Sequence, residues 1–234
     1  MATKRVIPDT DFGQIIIRTR ITARNISMRT KADGLHVTVP PYCLTSKIMS
    51  VVEEYRSRLL EKWEKVVPLP LDLNFHIDTP CFRLHLEQGR FSRFTLRTDE
   101  EGITICCPPN VDFSQKAIQE LLRSAIIRAL KKSAQAYLPP LLNELATHYG
   151  FTYKKVKITG SKSRWGSCSA IGSINLSCYL MLLPPHLMDY VLLHELTHTR
   201  EMNHGPKFWE ILNSLTEGKA HTLRAELKKV RTSF

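Results

Sequence analysis

Residues 191–204 of this 234-residue chain read VLLHELTHTREMNH. His194 and His198 are four apart, Glu195 follows the first, and His204 lies further on. Four-residue spacing on an α-helix puts two side chains on one face, one turn apart. Two imidazoles so placed can bind one divalent metal ion from the same side. A glutamate beside the first of them can take a proton from a water on the metal and deliver it to a leaving amine. This is the chemistry for which the spacing H-E-x-x-H recurs in zinc hydrolases. His204 is the candidate third ligand. Three protein ligands leave an open position, whereas a fourth would close the site. Three imidazoles accept several divalent metals, zinc among them.

Such a site needs a buried helix to hold it. Tyr190, Val191, Leu192, Leu193 and Leu196 supply the apolar residues. The pattern predicts a helix from about 185 to about 201. Asn203 is expected to take a left-handed cap conformation, so that His204 folds back toward the first two ligands. Gly205 and Pro206 then restart the chain into a helix over about 206–217, and a last helix covers about 219–230. Upstream, YKKVKITG reads as a strand, and SRWGSCSAIGSINLSCYLML as two strands joined by a turn at 170–173. Residues 114–149 carry a helix-period apolar stripe. Pro139-Pro140 is expected to kink or restart it.

The first part of the chain repeats itself. RTKADGLHVTVPP at 29–41 and RTDEEGITICCPP at 97–109 lie 68 positions apart. Their Arg, Thr, Gly and Pro-Pro coincide. Each reads as a hairpin with a polar turn ending in Gly34 or Gly102, closed by prolines that cannot donate to the ladder. Each then enters a helix, the first over about 45–65 and the second from about 112. The expected fold class is α+β. Residues 1–110 form a β-rich region of two hairpin-helix units, read as a duplication, and residues 111–234 form a metal-binding catalytic domain.

Composition excludes little beyond this. The chain is 43% hydrophobic and 24% charged, as in an ordinary globular protein. There is no apolar run long enough for a membrane span and no secretory signal at the N-terminus, so the expected location is the cytoplasm. Six cysteines without a C-x-x-C pair suggest reduced thiols, neither a disulfide framework nor a zinc ribbon. The net charge of +11 is uneven: residues 1–110 carry +3 and residues 111–234 carry +8. A basic C-terminal half favours acidic partners, nucleic acid included.

The order of SRWGSCSAIGSINLS (163–177), Pro184-Pro185 and DYVLLHELTHTREMNHGPKFW (189–209) resembles the YgjP-like metallopeptidase family. That family is similar to the SprT and WLM groups of small zincins. The resemblance is strongest over about 150–215. It implies a minimal zincin-like domain with a small antiparallel sheet beside the H-E-x-x-H helix. It implies one zinc per chain on His194, His198 and His204, with Glu195 as catalytic base and acid. It also implies a functional role for the segment Arg164-Trp165-Gly166-Ser167-Cys168. Arg164 is the candidate for stabilising developing negative charge or for pairing with a carboxylate, Ser167 for substrate contact or support, and Trp165 for packing ahead of substrate contact. Asn175 and Tyr190 are candidate groups supporting the ligands. Cys168 is set aside as a ligand, because a thiolate would close the water position.

Two classes of function follow. The first is a zinc-dependent metallopeptidase acting on a peptide or protein, with hydrolysis of a non-peptide amide or ester as its chemical alternative. The second is a nucleic-acid-associated binding module with a structural or vestigial metal site. The second draws on KKVKITGSKSR (154–164) and the +8 half. Glu195 argues against it, because a purely structural site needs no glutamate there.

Overall fold

The computed structural model describes residues 4–64, 69–230 and 234. The chain divides into two compact units, Met1–Leu69 and Pro70–Thr232, with Phe234 belonging to the second. The division therefore does not fall near 110. The second hairpin pair buries Phe82, Leu84, Leu86, Ile103 and Ile105 in one core with the helices that follow, which joins it to the C-terminal part.

The first unit holds a four-stranded sheet made of β1 (Lys4–Asp9), β2 (Gly13–Thr19), β3 (Ser27–Lys31) and β4 (Gly34–Val39). The strand order is β1-β2-β4-β3. Two antiparallel hairpins meet at a parallel β2–β4 pair. Ile15, Ile17, Leu35, Val37 and Val39 alternate along the central strands and face one core. Ile48, Val52 and Leu59 fill that core from α1 (Thr45–Glu54) and α2 (Arg56–Glu64). The single helix expected over 45–65 is thus two, broken at Tyr55.

The second unit opens with the same design. β5 (His76–Thr79), β6 (Phe82–Gln88), β7 (Thr95–Asp99) and β8 (Gly102–Cys107) form a sheet of order β5-β6-β8-β7. β6 and β8 are parallel, like β2 and β4. Thr30 pairs with Leu35 in the first hairpin, and Thr98 pairs with Ile103 in the second, each 68 positions later. Gly34 and Gly102 both have φ near +130° (127° and 137°). A Cβ at Gly102 would also stand 2.8 Å from the Arg83 carbonyl oxygen, and one at Gly34 would collide with that of Gln14. The repeat therefore extends beyond the hairpins to the whole four-stranded sheet.

Against β6 lies α3 (Lys116–His148), a 33-residue helix. It buries Leu122, Ile126, Leu130, Ala134, Leu138, Leu142 and Ala146, an unbroken four-residue spacing. Pro139 and Pro140 sit inside it and do not end it. A proline in a helix interior costs about 3 kcal/mol. Leu138 and Leu142, flanking the pair, are fully buried, and burying a leucine returns about 1.5–3 kcal/mol each.

The remaining elements build the floor and wall of the site. β9 (Lys155–Thr159), β10 (Gly166–Cys168) and β11 (Ser173–Ser177) form a sheet of order β10-β11-β9. The sheet is mixed, not antiparallel as expected: β10–β11 is antiparallel and β11–β9 parallel. The parallel pair arises because β10 intervenes in sequence but takes the edge. A short 3-10 turn, Cys178–Leu182, leads into α4 (Pro185–Thr197), which is followed by α5 (Pro206–Leu215) and α6 (Ala220–Leu227). Among the described residues, no helix is long and apolar enough to cross a membrane.

In the first unit, one charged cluster ties helix to sheet. The Arg56 guanidinium donates to Asp9 at 3.0 Å, Asp11 at 2.6 Å and Glu53 at 2.7 Å. The Arg56 hydrogen bond holds the Asp9 carboxyl below its ordinary 3.8, against the opposing effect of burial. A depressed carboxylate value stabilises the fold above 3.8, and the gain is lost as pH falls through the folded-state value. Arg56→Met is expected to cost about 1–3 kcal/mol at neutral pH. The difference from wild type should shrink in acid, as measured by urea unfolding at both pH values.

Candidate metal centre

α4 is apolar on almost every side: Leu187, Met188, Tyr190, Val191, Leu192, Leu193 and Leu196 are buried. Pro185 sits at its first position, where a missing N–H costs nothing. Thr197, where an apolar residue would be usual, is 0% exposed and donates its hydroxyl to the Leu193 carbonyl at 2.7 Å. Thr199 does the same toward Leu196 at 2.8 Å. Each hydroxyl is thereby satisfied by a carbonyl three or four residues back. The helix proper ends at Thr197, and the chain continues in hydrogen-bonded turns through Glu201. Arg200 fixes this end by donating to the Gly150 carbonyl at 2.6 Å and lying over the Phe151 ring. Asn203 does not adopt the expected left-handed cap; among described non-glycine residues only Tyr42, Asn110 and Glu217 have positive φ. The turn after Glu201 instead closes with the Gly205 N–H donating to the Asn203 carbonyl at 2.7 Å.

This path brings His204 back to the helix. His194 Nε2 lies 3.2 Å from His198 Nε2 and 3.1 Å from His204 Nε2. One donor atom from each of the three imidazoles falls within 4.8 Å of the others. A ring nitrogen donates or accepts one hydrogen bond, so His194 Nε2 cannot satisfy both neighbours. A single divalent cation can. Tetrahedral zinc with Zn–N of about 2.0–2.1 Å separates its donors by about 3.3 Å, close to the two distances found. The donor set therefore fits a metal ion. The His198 Nδ1 lies 3.2 Å from the Glu201 carbonyl, a hydrogen bond that turns Nε2 toward the other rings. Phe208, fully buried, packs against all three imidazoles with centroids 4.6–4.9 Å away. Trp209 Nε1 donates to the His204 carbonyl at 3.1 Å.

Glu195 is 4% exposed, and its Oε2 has no hydrogen-bond partner among the described residues. Burial pushes its carboxyl up to about 8. Burial, followed by the charges of His198, His204 and Arg224, pushes His194 down to about 3. His194 is thus held in the neutral form that binds metal. Burial also lowers His198, partly offset by the Glu201 carbonyl.

The strand β10 comes so close to Glu195 that only glycine fits at 166. A Cβ there would stand 2.5 Å from Glu195 Oε1 and 2.6 Å from its Cγ. A cleft of about 270 Å³ opens beside this contact, lined by Trp165, Tyr190, His194, Glu195 and, from α6, Arg224 and Lys228. The sequence-derived candidates therefore part company. Trp165 and Tyr190 face the cleft. Ser167 and Asn175 are cross-strand partners, with the Asn175 amide donating to Ser167 Oγ at 3.3 Å. Arg164 is exposed and lines a separate depression with Ser161 and Lys162. The Cys168 thiol is not part of the imidazole cluster. His186 pairs with Glu226 at 2.8 Å, and His221 stacks on Trp209.

Sequence reasoning missed Gly166 as the partner of Glu195, and missed the α6 wall entirely. Arg224, Leu227 and Lys228 do share one helix face by spacing, but nothing in the sequence places that face against α4.

The sequence model of the family described as "YgjP-like, metallopeptidase domain" matches residues 24–230. The chain belongs to the YgjP-like metallopeptidase family. Membership supports a metal-dependent peptidase. Comparison with curated proteins gives no match. Among solved structures, the chain is similar to the metallopeptidase zymogen of Pyrococcus abyssi abylysin, at 25% identity and a TM-score of 0.35. That match covers 41% of this chain and 98% of the other. The metallopeptidase zymogen of Methanocaldococcus jannaschii jannalysin is similar at 22% identity and a TM-score of 0.35, covering 39% and 93%.

Gly166→Ala is expected to force Glu195 out of its slot. The melting temperature should fall, by an amount equivalent to about 1–3 kcal/mol. Peptidase activity should fall with it, while metal content per chain stays at the wild-type value, since the three atoms nearest the new methyl group all belong to Glu195.

Proposed function

We propose that the chain is a zinc-dependent peptidase in which His194, His198 and His204 hold the metal and Glu195 carries the proton. The observation behind this reading is the convergence of three imidazole nitrogens beside a buried carboxylate that lacks a partner. Zinc bound to this set supplies Lewis-acid polarisation and a nucleophile at neutral pH. Every other task falls to the chain itself.

Glu195 is the general base and then the general acid. Its burial, at 4% exposed, limits the water that can compete for its proton. In the ionised form, which a cation on the three imidazoles would favour, its unpartnered Oε2 is free to accept one. Gly166 fixes the carboxylate from the opposite side by its backbone. β10 is an edge strand whose outer side has no neighbour in its sheet. An extended peptide adds to such an edge by main-chain hydrogen bonds, largely without regard to sequence. Addition there would carry a substrate carbonyl past Glu195. Phe208 backs the three imidazoles and keeps them in register during turnover.

The wild-type chain, purified without added metal, is expected to carry about one zinc, as three-histidine sites do. His204→Ala should lose most of it by elemental analysis. Glu195→Gln should keep the zinc and lose activity on a generic peptide substrate by about 10²–10⁴-fold, the usual contribution of a general base. A folded wild type that refuses zinc overturns the proposal.

A further inference from the structure

The cleft beside Glu195 has a composition that the peptidase reading does not call for. Its sides are apolar: Trp165, Tyr190, Val191 and Leu227. Its remaining wall carries two cations one helical turn apart, Arg224 and Lys228. Neither has an ion-pair partner among the described residues, although Glu226, on the same helix, is taken by His186. The Arg224 guanidinium is held in place by lying 5.1 Å over the Trp209 ring, and Trp209 is itself braced by stacking on His221 at 4.4 Å. Among the described residues, Glu195 is the one carboxylate lining the cleft. Tyr190 is 3% exposed, and its hydroxyl is buried without a hydrogen-bond partner. An apolar-walled slot with two unpaired cations fits a short chain that ends in an anion.

We propose that this cleft is a specificity pocket for a carboxylate next to the scissile bond, held by Arg224 and Lys228. The apolar walls take the aliphatic stem, and the forked guanidinium takes the two oxygens. The carboxylate comes either from a glutamate or aspartate side chain or from the free C-terminus of the substrate. The inference rests on the peptidase reading for its meaning, but the pocket is a binding site in its own right.

Binding, not cleavage, therefore tests it. The full chain carrying Glu195→Gln is titrated, with and without zinc, while tryptophan fluorescence reports on Trp165 and Trp209. The probes are two twin pairs. One is a tetrapeptide blocked at both ends with a central glutamate, against its glutamine form. The other is a tripeptide with a free C-terminus, against its amide. At least one carboxylate probe should bind about fivefold or more tightly than its twin, the upper range for a partly exposed pair. The pair showing the preference identifies the source of the carboxylate. The preference should shrink in added salt, vanish in Arg224→Gln, be weakened in Lys228→Gln and return in Arg224→Lys.

Equal binding of both twins, or no binding of any probe, overturns the pocket. A preference that survives Arg224→Gln, or that appears only with zinc present, also overturns it, because the carboxylate is then on the metal. None of these failures touches the zinc content of wild type or its loss in His204→Ala, which decide the peptidase reading separately.

Discussion

Three imidazoles and a carboxylate are crowded into one place, and the chain does not give them enough hydrogen-bond partners. His194 Nε2 faces two other ring nitrogens at once, its own Nδ1 is buried and unpaired, and Glu195 Oε2 has no partner. Leaving buried polar groups unsatisfied costs about 1–3 kcal/mol each. The second unit gathers these groups at its centre. The hydrophobic face of α3, the nearly all-apolar α4 and the tight approach of β10 can be understood as the framework that tolerates them. A divalent cation on the three Nε2 atoms would resolve the conflict at His194 Nε2.

The framework acts through shape as much as through burial. α3 runs through two prolines because Leu138 and Leu142 on either side are locked into the core. β10 takes the edge of its sheet, so among the described residues one of its sides has no strand partner, while Gly166 lies against Glu195. α6 then closes one side of the cleft with Arg224, Leu227 and Lys228. The three imidazoles and the Glu195 carboxylate come from one helix and one turn, and the cleft walls come from elements before and after them in the chain.

What the sequence made legible was local or periodic. The H-E-x-x-H spacing, the return of His204 and the repeated hairpins all depend on residues within a turn or two of each other. The misread features depend on distant contacts. The unit boundary moved from 110 to 69/70 because β6 and β8 share a core with α3. The expected break at Pro139-Pro140 reflected a local preference that tertiary burial overrode. The expected antiparallel sheet became mixed because strand order is not written in strand sequence. The α6 wall of the cleft was invisible for the same reason: its residues have an evident common face but no evident destination.

The repeated sheet has a consequence of another kind. The chain solves one backbone problem twice, with the same strand order and the same glycine-dependent hairpin turn. What differs is the covering: α1 and α2 with the Arg56 cluster in the first copy, α3 in the second. The protein is therefore its own paired comparison. Because the two sheets share a topology, a difference in how they tolerate the same lesion measures what each covering contributes, with the sheet held constant.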